Sequence, residues 1–328
     1  MYKQEPPNAV QIEPCEGCQL ACSFCGIQGI RENDSHGPLN VTGTNSKPFK
    51  LMKISTAKKI AKDIKNAGWN PRVEFAMHGE PTMNRKLSSI ISIFRKYLPK
   101  SSLMLTTNGG GLTKGNITEN INNLMKFGLN ILLLDDYETY KISSKIIEKY
   151  KGPFEMRYYP KDNAANPHRR RKPNEHEIII TQDVSNQPGG THGKLMNHCG
   201  CAFPLNDSMA GKRCARPFRE ISIRWDGSVS ICCMDWRGIY KCGNVLKSSI
   251  DEIWNNKFFY AARIKLYHGE RTFEPCLGCD TRSYRVGLLP DKKGKVKLSE
   301  TDTYTENILT QAIAGRSYTK PVKRPWEA

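Results

Sequence analysis

The sequence predicts an α/β fold built on a parallel sheet, on three observations. Short apolar runs recur between residues 9 and 181, helical patterns stand between them, and the runs are continuous rather than alternating. Strands that alternate with helices pair in parallel, and a continuous apolar run suits a strand covered on both faces. The strand candidates are AVQIEP (9–14), RVEFAM (72–77), SLMLTTN (102–108), NILLLD (130–135), FEMRYYP (154–160) and EIIIT (177–181). In STAKKIAKDIKNAG (55–68), Ala57, Ile60, Ala61 and Ile64 fall on one helical face, with Ser55 as N-cap and Gly68 as the stop. Residues 84–97, 116–127 and 137–150 supply the next three helices. PKDNAANPHRRRKPNE (160–175) is polar and contains proline, so a loop joins the fifth and sixth strands. Residues 182–213 are rich in Gly, Asn and Pro and read as a crossing into a second domain at 214–282. Residues 283–328 turn basic and polar, with Lys292, Lys293, Lys295, Lys297, Lys320, Lys323 and Arg324, and read as a solvated tail.

The chain has 328 residues, 38% of them hydrophobic, which is enough for a sizeable core. No apolar run approaches the ~18 residues that cross a membrane, and MYKQEPPNAV has no secretion-type apolar stretch. The expectation is a cytoplasmic protein with no membrane partner. Reducing compartments keep thiols free, so the twelve cysteines point to metal or cluster ligation. Lysine plus arginine exceed aspartate plus glutamate by 50 − 32 = 18. Such a field attracts phosphate-rich partners, and nucleic acid is the natural candidate.

EPCEGCQLACSFCGIQG (13–29) places Cys15, Cys18, Cys22 and Cys25 within eleven positions. Three thiolates on one short loop can hold three irons of a [4Fe–4S] cluster and leave the fourth open to a substrate chelate. A zinc knuckle, or a closed ferredoxin-type cluster that also uses Cys15, has the same spacings. The pattern C-x3-C-x-aromatic-C, matched by Cys18, Cys22, Phe24 and Cys25, resembles the signature of the radical S-adenosylmethionine (SAM) superfamily. MHGEPTMN resembles that family's GGEP loop, and the resemblance gives Glu80, between Gly79 and Pro81, the SAM amino group. His78 stands where the family has its first glycine. TTNGGG resembles the family's TNG segment, which places Thr107 and Asn108 near SAM. In LLLDDYE, at the end of the fourth strand, Asp135 and Asp136 are candidates for a ribose or substrate contact or for helix caps, and Asp135 is the expected cofactor contact.

Downstream, Cys214, Cys232, Cys276 and Cys279 form C-x17-C-x43-C-x2-C. With ISIRWDGSVSIC, GNV and SIDEIW, this stretch resembles the SPASM/twitch extension of radical SAM enzymes, whose shorter form holds one auxiliary [4Fe–4S] cluster. A zinc ribbon would use the same thiolates. Cys233 rivals Cys232, and the family's spacing from Gly227 selects Cys232. Cys199, Cys201, Cys233 and Cys242 have no assigned role, and NHCGC resembles a segment bordering the active site, which singles out His198.

The resemblance therefore implies a partial (β/α)6 radical SAM barrel with a small C-terminal twitch domain. It implies reductive cleavage of SAM to a 5′-deoxyadenosyl radical that abstracts a hydrogen atom, with electrons from an external donor such as flavodoxin or ferredoxin. Charge, the HRRRK loop and the basic tail favour a nucleobase in nucleic acid as substrate, DNA hypermodification included. Peptide or protein side-chain modification is the alternative, and a metal-binding nucleic-acid adaptor is the reading from another class.

Overall fold

The computed structural model describes residues 3–20, 22, 24–27, 49–137, 140–181, 196–202, 208–281 and 303–314. The elements in chain order are β1 (Ala9–Ile12), β2 (Cys15–Glu16), β3 (Lys50–Leu51), α1 (Ile54–Asn66), β4 (Arg72–Phe75), α2 (Leu87–Tyr97), β5 (Leu103–Thr107), α3 (Ile117–Lys126), β6 (Ile131–Leu134), α4 (Ile142–Lys149), β7 (Met156–Tyr159) and β8 (Glu177–Thr181). The C-terminal part adds β9 (Glu220–Ile223), β10 (Ser228–Ser230), β11 (Lys241–Asn244), α5 (Ile250–Trp254), α6 (Lys257–His268) and α7 (Thr303–Ala314).

One nine-stranded sheet runs β11-β10-β9-β1-β4-β5-β6-β8-β7, with every strand from β9 to β7 parallel and β10 and β11 antiparallel. All six strand candidates form. The last two are transposed: β8 pairs with β6, and β7 stands at the edge. Burial explains the order, because EIIIT is apolar enough to sit inside the sheet, whereas MRYY keeps Arg157 and Tyr158 at an edge.

Side chains alternate across the pleat. Leu103, Leu105, Leu132, Leu134, Ile178 and Ile180 pack into the main core with α1 to α4. Met104, Ile131, Leu133 and Ile179 pack on the opposite face with Ala165. Helix α1 buries Ala57, Ile60, Ala61 and Ile64 as the spacing predicts. Its N-cap, however, is Lys53 without a side-chain cap bond, and Ser55 lies inside the first turn. Gly68 ends the helix with φ +70°, a left-handed conformation that glycine adopts at little cost.

The C-terminal part continues the same sheet, since β9 pairs with β1 from Ala9↔Glu220 to Ile12↔Ile223. Helix α5 starts with a capping box between Ser249 and Glu252. Residues 303–314 depart from the solvated-tail expectation. They form α7 against α6 and bury Ile308, Leu309 and Ala312, a face that NILTQAIA presents at helical spacing. The tail lysines and Arg324 lie outside the described residues. Among the described residues no helix is long and apolar enough to cross a membrane.

Candidate active site

Because the strands are parallel, the residues that follow β1, β4, β5 and β6 emerge at one edge of the sheet. There Cys18, Cys22, Phe24, Cys25, Gly79, Glu80, Thr107, Asn108 and Asp135 line one chamber of about 220 Å³. Pro81 is buried beside it as the first residue of a short 3₁₀ turn. Backbone bonds tie the cysteine loop to the Gly79-Glu80 loop: Glu80 N donates to Gly17 O at 2.8 Å, and Gly17 N to His78 O at 3.3 Å. A Cβ at position 79 would stand 2.4 Å from Cys15 O and 2.6 Å from Gly17 N, so only glycine fits. Position 78 needs no glycine. Nδ1 of His78 lies 2.7 Å from Glu13 Oε1, Nε2 lies 2.8 Å from Cys233 O, and the ring is fully buried.

Glu80 is 2% exposed and pairs with no cation among the described residues. Its carboxylate accepts from Thr82 N at 2.9 Å, Asn108 N at 2.8 Å, and the hydroxyls of Thr82 and Thr107. Burial raises its pKa against these bonds. A buried carboxylate without a counter-charge suits an ammonium group, which fits the SAM amino end. Asp135 lines the same chamber, where burial, with Glu80 nearby, pushes its carboxyl up to about 7. Asp136 instead accepts from Ser143 Oγ at the start of α4.

Cys18 Sγ accepts from Leu20 N at 3.3 Å and Asn108 Nδ2 at 3.4 Å. Burial pushes its thiol up to about 12. Cys15 points elsewhere: it is buried in β2, its thiol donates to Gly17 O at 3.6 Å, and it does not line the chamber. Three thiols facing a chamber that also holds an unpaired acid fit an open cluster with bound SAM better than a closed four-thiolate site.

Cys214, Cys232, Cys276 and Cys279 are all buried in the main core. Burial raises the first three, while the Cys199 thiol, which donates to Cys279, holds Cys279 down to about 6. This dry, sulfur-only donor set suits an iron–sulfur cluster. Among the described residues no three His, Cys, Asp or Glu groups converge as a single-ion site. Cys233 points away, with Arg216 Nη1 3.1 Å from its sulfur. Cys201 packs with Ile27 and Trp236, and Cys242 is buried with its carbonyl accepting from Asn256 Nδ2 at 2.6 Å.

Sequence reasoning passed over several chamber residues: Leu20, Met77, Tyr137 and Trp236. Trp236 is the most informative, and its signal is its place four residues after Cys232 in CCMDW. It closes over the cysteine loop, where a Cβ on Gly26 would come within 2.8 Å of its ring. His198 also lines the chamber, and burial, with His78 nearby, pushes its imidazole down to about 4.

The Radical SAM superfamily model matches residues 12–149, and the SPASM model, an iron–sulfur cluster-binding domain, matches residues 214–280. The S-adenosyl-L-methionine-dependent 2-deoxy-scyllo-inosamine dehydrogenase of Niallia circulans is 21% identical over 280 residues, covering 85% of this chain and 95% of that protein. Among solved structures, BtrN in complex with AdoMet and 2-DOIA aligns with a TM-score of 0.58 at 16% identity, over 85% of this chain and 94% of that one. Native anSMEcpe with bound AdoMet and Kp18Cys peptide aligns with a TM-score of 0.46 at 16% identity, over 94% of this chain and 98% of that one. The reaction class is hydrogen-atom abstraction from a substrate. Matched in both halves, the chain belongs to the radical SAM superfamily, an enzyme that uses a [4Fe–4S] cluster with SAM and a second, auxiliary cluster in a SPASM/twitch-type domain.

Proposed function

We propose that this enzyme is a radical SAM dehydrogenase that oxidises a hydroxyl-bearing carbon of a small neutral or amine-bearing molecule. The observation that carries the reading is the chamber's charge. Glu80 and Asp135 line it, and no lysine or arginine does among the described residues, so a phosphate-bearing substrate would find no counter-charge there. The similarity to 2-deoxy-scyllo-inosamine dehydrogenase supports the same class. The HRRRK loop is partly structural, although Arg169, Arg170 and Lys172 are exposed. Arg171 is buried against Glu177, and Arg170 donates to Asn70 O. Arg171 N reaches Ser102 Oγ at 3.1 Å and Asn130 Nδ2 reaches Lys172 O at 2.9 Å, so the loop covers the starts of β5 and β6, the sheet end away from the chamber.

In this reading Cys18, Cys22 and Cys25 hold the SAM cluster and Cys15 does not, while Cys214, Cys232, Cys276 and Cys279 hold the auxiliary cluster. When bound, the first cluster and SAM together supply the radical that takes the hydrogen atom. Glu80 holds the SAM amino group, and Thr107 and Asn108 orient that carboxylate. Phe24 and Tyr137, their rings 5.5 Å apart, keep water from the chamber. Oxidation to a ketone removes a hydrogen atom, a proton and one electron from the substrate, and Cys214, Cys232, Cys276 and Cys279 would hold the group that could accept that electron.

Anaerobic reconstitution tests this. The wild type should carry about eight irons, and the triple alanine variant of Cys18, Cys22 and Cys25 about four. Wild-type protein with 2-deoxy-scyllo-inosamine and related cyclitols should form 5′-deoxyadenosine together with a ketone. If only a peptide pool raised 5′-deoxyadenosine formation, the peptide-modifying reading would replace this one.

A further inference from the structure

We propose that His198 and Trp236 form the subsite that binds a substrate hydroxyl, an inference that rests on the dehydrogenase reading. Both side chains line the chamber shared by the cluster cysteines and Glu80. Trp236 is 8% exposed, and its indole Nε1 is buried with no partner among the described residues. Nδ1 of His198 is likewise buried and unpartnered. Burying a polar nitrogen without a partner is costly, so native structures seldom tolerate it, and two such atoms on adjacent side chains that line the chamber mark a ligand position.

The pair is also held rigidly. The Trp236 ring centroid lies 4.9 Å from that of His78 and 5.1 Å from that of His198. His78 is fixed in turn by Glu13 and the Cys233 carbonyl. Gly26 lies against both side chains, since a Cβ there would stand 2.8 Å from Trp236 Cδ2 and 2.9 Å from His198 Cβ. His198 and Cys199 have left-handed backbones, with φ of 50° and 53°, which non-glycine residues rarely adopt in succession. Backbone strain of this kind, maintained by surrounding packing, is typical of ligand-holding segments.

The chemistry of the two nitrogens selects the ligand group. The indole N–H only donates, whereas a ring nitrogen of a neutral imidazole donates or accepts according to its tautomer. An alcohol both accepts and donates, so one hydroxyl, or two on adjacent carbons, satisfies both nitrogens. A small polyol or aminocyclitol matches the pair and the acidic chamber together.

The test uses the full chain, reconstituted with both clusters and SAM, and 2-deoxy-scyllo-inosamine, myo-inositol and their singly deoxygenated analogues as probes. Trp236→Phe keeps the ring and removes the N–H. His198→Ala removes the ring nitrogen, and His198→Gln restores a polar group that can accept or donate. Each of the first two variants should raise KM about tenfold for the hydroxylated probe, the effect of removing one hydrogen bond to a substrate. Iron content should stay at the wild-type value, and His198→Gln should recover part of the loss. Against the analogue that lacks the contacted hydroxyl, wild type and variants should show the same KM. Unchanged KM in both variants, with product still formed, would sink the subsite alone and leave ordered water as the partner of these nitrogens. An equal loss on every analogue would assign the pair a packing role and overturn the inference. Failure of the wild type to oxidise any hydroxylated probe would remove the dehydrogenase reading and the subsite with it.

Discussion

Asp135 sits where a carboxylate is least welcome: it is buried, it faces Glu80, and the hydroxyl of Tyr137 that donates to it is 3.4 Å away. Its carboxyl is raised from 3.8 to about 7. Between those values the folded protein binds more protons than the unfolded chain, so this group's contribution is most favourable at low pH and is lost as pH rises through about 7. Asp135→Asn, neutral throughout, should therefore unfold at a higher temperature than wild type at pH 8, with the gain shrinking towards pH 5. A tenfold change in proton affinity corresponds to ~1.4 kcal/mol, so the gain at pH 8 should be a few kcal/mol at most. A midpoint difference that does not change with pH would contradict this assignment. Of the two acids in LLLDDYE, Asp135 was singled out as the cofactor contact, and it is the one that lines the chamber, while Asp136 reaches Ser143. Cys232 and Cys233 pose the same problem, which the spacing from Gly227 resolved in favour of the thiol that lies in the main core. Cys18, Cys22, Cys25 and Glu80, which line one chamber, were singled out by the resemblance of their motifs to those of the family. Trp236 was not, since its role depends on Gly26, some two hundred residues earlier in the chain.

At the level of elements, β1 joins the two halves, because it pairs with β4 on one side and β9 on the other. Just beyond its end, Glu13 accepts from Trp225 N at 3.1 Å and lies 2.7 Å from His78 Nδ1, while His78 Nε2 meets the carbonyl of Cys233. The loop that holds Glu80 is thus tied to the strand end that holds Cys232. His78→Gly, which restores the family's usual residue, should cost about 3 kcal/mol or more, because it strips Glu13 and the Cys233 carbonyl of a buried hydrogen-bond partner and opens a cavity. Anaerobic urea unfolding would measure it, and a variant as stable as wild type would show that the tie contributes nothing. Strands were readable from their apolar runs, but their order was not. Neighbours in a parallel sheet are set by which run tolerates an edge, and the polar loop at 160–175 has no feature that names its destination. Helix α7 was missed for the opposite reason, since its apolar face lies among basic flanks that dominate the composition.

For the whole molecule the question is where the excess of eighteen positive charges acts. Part of the HRRRK run is structural. Arg171 is 3% exposed, ion-paired with Glu177, and donates to Asn166 O at 3.2 Å, so Arg171→Ala should destabilise the protein by about 3 kcal/mol by leaving Glu177 with only its longer, 3.4 Å contact to Arg157. Arg169 and Lys172 are exposed, and their joint replacement by alanine should change stability by no more than about 0.5 kcal/mol. Function separates the readings further. The loop sits at the starts of the strands and the chamber at their ends, about 15 Å apart at ~3.3 Å per residue, so the double variant should oxidise a cyclitol at the wild-type rate. A nucleic-acid enzyme would behave otherwise: its affinity for duplex DNA would fall steeply with salt, and every phosphate that the variant no longer neutralises would lower the log–log slope by about 0.9. Such a slope change, together with 5′-deoxyadenosine formation that depends on DNA, would restore the nucleic-acid substrate. Equal cyclitol turnover by the variant and wild type, with no DNA dependence, would confine the basic surface to solubility and to docking an acidic electron donor.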